Sequence, residues 1–217
     1  MRRVLAALFV VTSLWATAAV AQVNPGVEIM PFAGYRWGGS MSTITGLHNF
    51  DVQDTWSYGI TLDKMVQRTS AVELYYAHFT GDAHATVDVP GNSPGLGTEP
   101  KNVTGTLNRD DIHLNGVWYA YRYNQPTRPY FTAGLGTSIS SGTNFDTVWR
   151  FSWNLGAGIR HDLSSKAALR LEGRWLPVWV TTGSAVYCDP WYCYGVGTGE
   201  SFDQFALTLG LSFAVGR

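Results

Sequence analysis

The chain of 217 residues is short of charge, of basic stretches and of cysteine, and each shortage removes a class of protein. Asp, Glu, Lys and Arg make up 14% of it, and 15 basic residues face 16 acidic ones without forming a Lys/Arg run. A nucleic-acid partner therefore has no electrostatic footprint to bind. Beyond the N-terminal leader, no stretch approaches the roughly 18 consecutive apolar residues that a helical membrane span needs. A mean hydropathy of −0.05 is likewise far too polar for a bundle of such helices. Two cysteines cannot frame a disulfide-rich domain, and with Asp189 they are too few donors for a metal site.

What the chain does have is glycine and aromatic rings: 24 Gly, 9 Trp, 11 Tyr and 10 Phe. It opens with Arg2 and Arg3, an apolar run from Val4 to Val11, and the small-residue end Ala19-Val20-Ala21. That order is a secretory signal peptide, with cleavage expected after Ala21 and residues 22–217 forming one domain. Without the two leader arginines the charge falls to about −3, still without a basic patch.

Eight segments then alternate in character. In the last, Phe205, Leu207, Leu209, Leu211, Phe213 and Val215 interleave with Gln204, Ala206, Thr208, Gly210, Ser212 and Ala214. Successive side chains on a strand point to opposite faces, so one face is greasy and the other small or polar. The same alternation runs through 56–63, 131–140, 149–160 and 169–175. It is weaker in 27–37, 71–80 and 110–122, where aromatic residues occupy both parities; the register that puts Glu28, Glu73, His113 and Asn115 inside also puts Tyr75, Tyr119 and Tyr121 there. Short links at 64–70, 124–128 and 163–166 alternate with longer ones at 38–54, 87–106, 141–146 and 181–200. Near-neutral hydropathy, period-two alternation and alternating link lengths together predict an all-β chain, an eight-stranded antiparallel up-and-down transmembrane β-barrel. Both ends then lie in the periplasm and the long links face the outside. A soluble barrel would carry its charges on the outer face; here Arg150, Arg160, Arg170, Glu172 and Arg174 share a face with glycines.

The opening Pro31-Phe32-Ala33-Gly34-Tyr35-Arg36, the stretch Tyr130-Phe131-Thr132-Ala133-Gly134-Leu135-Gly136, Leu155-Gly156-Ala157-Gly158 and the C-terminal segment carry a resemblance. The chain resembles the small eight-stranded outer-membrane barrels typified by the OmpA transmembrane domain, OmpX and the opacity-type porin-like adhesins. The resemblance implies residence in the cell outer membrane among lipid and lipopolysaccharide. It also implies delivery by periplasmic chaperones and the barrel assembly machinery, and a monomer. Thr208, Gly210, Phe213 and Val215 match the family's C-terminal assembly signal, although Gly216 and Arg217 follow where the family often ends on an aromatic. The cell-wall domain that follows the barrel in OmpA has no counterpart in this sequence.

Interior charges are tolerated only when paired or hydrated, so Glu28, Asp63, Glu73, Arg150, Arg160, Arg170, Glu172 and Arg174 are expected to form a salt-bridged plug. A polar path for small ions is the alternative, opposed by the narrowness of eight strands. The inward glycines of the Gly134 and Gly156 stretches make room for larger side chains opposite. Cys188 and Cys193 are expected to form a disulfide that stiffens an aromatic loop. No catalytic set, cofactor or metal site is expected. The His-x-Ser pair of the lipid A deacylase barrels is missing; His78-Phe79-Thr80 and His84-Ala85-Thr86 come nearest, and Asp110-Asp111 reads as rim solvation. Function is therefore expected to reside in the loops, as adhesion, recognition or envelope integrity. A narrow channel is the second reading, and a lipid-modifying enzyme built on His78 and His113 the third.

Overall fold

The computed structural model describes residues 26–41, 47–90, 98–120, 125–142, 145–180, 184–188, 193–196 and 200–215. Eight strands form the wall: β1 Val27–Trp37, β2 Thr55–Gln67, β3 Ser70–Pro90, β4 Thr98–Tyr119, β5 Thr127–Gly142, β6 Phe145–Asp162, β7 Ala167–Trp175 and β8 Phe205–Val215. Each pairs antiparallel with its sequence neighbour. β8 then closes on β1, from Val27 opposite Val215 to Trp37 opposite Phe205. Closure leaves no free sheet edge within the span, which is what lets strands survive in hydrocarbon. The signal peptide expected at 1–21 lies outside the described residues.

Alternation sorts the side chains. Tyr58, Phe131, Leu209 and Phe151 stand exposed on the outer face, while their neighbours Ser57, Thr132, Thr208 and Ser152 are buried inside. The three segments with aromatic residues on both parities keep the register that puts Glu73 inside: Tyr75, Tyr119, His113 and Asn115 are all interior; Tyr121 lies outside the described residues. Glycine supplies the space. A β-carbon on Gly158 would sit 2.6 Å from the Tyr130 hydroxyl, and one on Gly134 1.7 Å from Asn115 Oδ1. Only a hydrogen fits where a large inward side chain leans across its partner on the neighbouring strand.

Two expectations about the connections need correction. The link at 87–106 was expected to be a loop because of Pro90, Pro94, Pro100 and its glycines. Instead β3 and β4 are 21 and 22 residues long and stay in register up to Pro90 opposite Thr98. At about 3.3 Å per residue each strand of this hairpin is roughly 70 Å long, twice the strand length that a tilted span requires. Proline is tolerated there because β4 pairs with β5 only as far as Leu107, opposite Gly142, so among the described residues Pro100 lies in a stretch partnered on one side alone. Likewise the link at 38–54 contains a strand, Leu47–Val52, that pairs with the upper part of β3, and the short strand Ser40–Met41 pairs with it. Beyond β7, Val178–Val180 pairs with Glu200–Phe202 and touches β6 at Ser152.

Candidate functional site

The inward parity of the strands brings charged residues from distant parts of the sequence into one bore, at three levels. Nearest the chain ends, Arg160 pairs with Glu28, whose carboxylate also accepts from the Ser212 hydroxyl at 2.6 Å. Arg160 Nε donates to Asp162 at 2.8 Å, and Arg128 meets the other oxygen of Asp162 at 2.8 Å.

The central level holds most of the charge. Arg170 reaches Asp63, Glu73 Oε2 at 3.0 Å and Glu172 at 3.3 Å. Arg174 binds Glu73 Oε1 at 2.9 Å and Glu172 Oε1 at 2.6 Å. Asn115 donates to Glu73 at 2.7 Å, Asn154 to Asn115 at 2.7 Å, and the Tyr130 hydroxyl to Glu172 at 2.6 Å. The two guanidinium groups also lie over aromatic rings, Arg174 at 4.0 Å from the centre of Tyr75 and Arg170 at 4.7 Å from that of Tyr130. Each wall strand facing this level contributes through i, i+2 spacing, most directly β7 with Arg170, Glu172 and Arg174.

A further level near the opposite end was missed from the sequence. Arg36 and Arg109 both bind Asp111, at 2.6 and 2.8 Å, and all three are buried. Gln204 Oε1 accepts from Arg109 at 2.8 Å, Ser138 Oγ accepts from Arg109 at 3.0 Å, and Arg36 lies 4.5 Å over the Phe79 ring. The signal was present. Arg36 has the parity of Glu28, and Arg109 and Asp111 that of His113 and Asn115. Starting β4 at Asp110 cut off Arg109 and turned Asp111 into a rim residue.

Between the two upper levels lies an apolar layer of Met30, Phe32, Tyr75, Ala77, Leu176 and Ala206, with Phe32 stacked on Tyr75 at 5.3 Å. Of the eight charges singled out from sequence, Arg150 stands apart: it is half-buried, and its side chain has no ion pair among the described residues. His78 and His113 do not share a site. His113 is inside, 2.8 Å from Ser152 Oγ, whereas His78 is on the outer wall 2.8 Å from Asp110. In the C-terminal strand Thr208 and Gly210 face inward, while Phe213 and Val215 are exposed outward. The backbones of Cys188 and Cys193 lie directly opposite each other in a hairpin formed by Ser184–Cys188 and Cys193–Val196.

A closed wall of this kind is shared with known proteins. A sequence profile of the outer membrane protein β-barrel domain matches residues 4–214. The chain belongs to this outer-membrane β-barrel family. Among solved structures, the barrel is similar to Neisserial surface protein A, with a TM-score of 0.54 and 10% identity over 87% of this chain and 97% of that one. It is also similar to the outer membrane protein OprG from Pseudomonas aeruginosa, with a TM-score of 0.52 and 14% identity over 91% of this chain and 100% of that one. At such identities the likeness concerns the fold. No curated protein matches the chain.

Proposed function

We propose that this outer-membrane β-barrel is a closed anchor that acts through its extracellular end, in adhesion or recognition or in envelope integrity. The observation that carries the reading is the β3–β4 hairpin, which continues far above the height of a bilayer and is braced by Leu47–Val52. A strand ladder of that length holds its tip away from the membrane as a loop could not. The bore below is crossed by ion pairs at every level, which suits a plug better than a pore. The rest of the reading follows: export through a signal peptide cleaved after Ala21, assembly by chaperones and barrel machinery through the C-terminal strand, and residence as a monomer among outer-membrane lipid and lipopolysaccharide. A Cys188–Cys193 disulfide would staple the second hairpin, since directly opposed residues lie within the Cα separation that a disulfide spans.

Protease added to intact cells should cut within residues 91–97 and leave the span protected; cutting only after permeabilisation would reverse the orientation and sink the reading. A narrow channel is favoured by one observation, the buried polar atoms without protein partners along the bore, among them Arg36 Nη2, Gln204 Nε2 and Thr61 Oγ1, where water belongs. Planar-bilayer recording separates the two: a closed anchor gives no discrete conductance steps.

A further inference from the structure

The outer wall of an outer-membrane barrel should be apolar wherever it meets acyl chains, because an unpaired polar group costs several kcal/mol there. On β3 and β4 that rule is broken by a cluster rather than by isolated groups. His78 Nδ1 lies 2.8 Å from Asp110 Oδ1, and the Tyr76 hydroxyl donates to the same oxygen at 2.8 Å. His78 Nε2 lies 3.4 Å from Thr80 Oγ1, which in turn is 2.8 Å from Asn108 Oδ1. The Tyr58 ring packs 5.4 Å from the imidazole.

The strand register shows what surrounds this cluster. Tyr58, His78, Asp110, Ile139 and Trp149 are successive cross-strand partners on one outward row. Tyr58 and Trp149, near its ends, are among the most exposed aromatic residues of the wall. Below the row the outward face turns apolar, with Leu74 opposite Leu114. Exposed aromatic rings above an apolar band mark the boundary between headgroups and acyl chains. Because the strands tilt, such a row climbs around the barrel, and the height is read instead along β3 and β4: the outward pairs pass from Leu74–Leu114 through Tyr76–Ile112 to His78–Asp110 and Thr80–Asn108, so the cluster lies where the apolar band of these two strands gives way to polar residues, half-open to the outer leaflet's ester region.

We propose that this face is an esterase site for acyl esters of outer-leaflet lipid, with Thr80 as nucleophile, His78 as general base and Asp110 as the residue that orients the imidazole. It goes beyond the anchoring and recognition role, does not depend on it, and departs from the expectation that the chain holds no catalytic residue. From sequence His78-Phe79-Thr80 comes near a His-x-Ser pair but shows no carboxylate partner, because Asp110 is read there as rim solvation. Here the hydroxyl is a threonine's, and the carboxylate comes from the neighbouring strand. An Nδ1–H bond to Asp110 leaves Nε2 free to accept the Thr80 proton, the arrangement that activates a hydroxyl for acyl transfer. The 3.4 Å approach is long, as such contacts are before substrate closes the site. Half a turn of the Asn108 amide exchanges its oxygen for a donating nitrogen, which frees the Thr80 hydroxyl from its present acceptor.

The steps balance with water as the only co-reactant. Thr80 Oγ attacks the ester carbonyl as its proton passes to His78 Nε2, giving a tetrahedral oxyanion. Collapse breaks the bond to the alcohol, which leaves with the proton from His78, and the acyl group remains on Thr80. Water then attacks the acyl-threonine, again deprotonated by His78. The fatty acid departs and the threonine hydroxyl is restored.

The test uses the full chain extracted from outer membranes, placed in vesicles of phosphatidylethanolamine and phosphatidylglycerol with or without lipopolysaccharide. Released fatty acid is measured by mass spectrometry, and an alkyl fluorophosphonate reports the nucleophile. Release without lipopolysaccharide assigns phospholipid esters, and release only with it assigns the ester chains of lipopolysaccharide. In either case the probe should label Thr80. Thr80→Val and His78→Gln should lower release about 10²- to 10⁴-fold, and Thr80→Ser should retain it, with heat-modifiable migration unchanged in all three. For the positioning residue, Asp110→Asn should lower kcat on a soluble nitrophenyl butyrate while leaving KM unchanged. The proposal is overturned if folded protein releases no fatty acid from either vesicle, or if release survives Thr80→Val.

Discussion

The central and upper charge levels of the bore are built from the same residue types to different standards. In the centre every guanidinium nitrogen is bonded: Arg170 to Tyr130, Asp63, Glu73 and Glu172, and Arg174 to Glu172, Asn154 and Glu73. In the upper level Arg109 is equally complete, but Arg36 uses only Nη1, leaving Nε and Nη2 without protein partners. The centre carries one carboxylate more than its arginines and the upper level one arginine more than its carboxylate. Neutrality is thus a property of the bore and not of each level. The centre spends every arginine nitrogen on tying the wall together; the upper level leaves two of them without a protein partner.

That contrast is broken most directly at Glu73, which holds both central arginines. Glu73→Ala should cost about 3–5 kcal/mol in refolding equilibrium, because two buried cations lose a shared partner. A loss below that range would mean that the central level is as hydrated as the upper one.

The comparison also presumes which face is interior. Leu209→Arg, on the outer face, should cost about 2–4 kcal/mol near the bilayer midplane. Thr208→Arg, one residue away and inside, should instead act by overpacking against the central level, where Thr208 Oγ1 donates to the Glu172 carbonyl at 3.4 Å. Equal dependence of the two variants on bilayer thickness would show the faces to be reversed.

Arg36→Met should cost only about 1 kcal/mol, because Asp111 keeps Arg109 and Ser138 and two unpaired donors are removed with the side chain. Urea titration of the variant beside Glu73→Ala measures the difference between levels. The smallest effect is expected at the partly exposed rim pair, where Arg128→Ala should cost less than about 1 kcal/mol and weaken further in salt.

The parts of the barrel legible in the sequence were those in which one strand carries the whole pattern. Arg170, Glu172 and Arg174 alternate with Leu169, Leu171 and Trp175 on β7, so their inward face needed no partner to identify it. Arg36 was read only as part of a family motif, since β1 mixes Met30, Phe32 and Tyr35 across both faces. The height of the β3–β4 hairpin was hidden by proline and glycine rules that hold for interior strands and relax on an edge. The pairing of His78 with Thr80 was legible as i, i+2 spacing on one strand, but Asp110 was not, because register and not spacing brings it beside His78.

Sequence by itself determined a membrane barrel of eight strands, its inward and outward faces and most of its interior charges, because side-chain direction has a period of two and burial follows it strand by strand. Tertiary structure decided which charges meet, how far the hairpin rises and which polar groups gather on the outer wall. Those depend on the stagger between strands, which closure of the cylinder sets and no single strand contains.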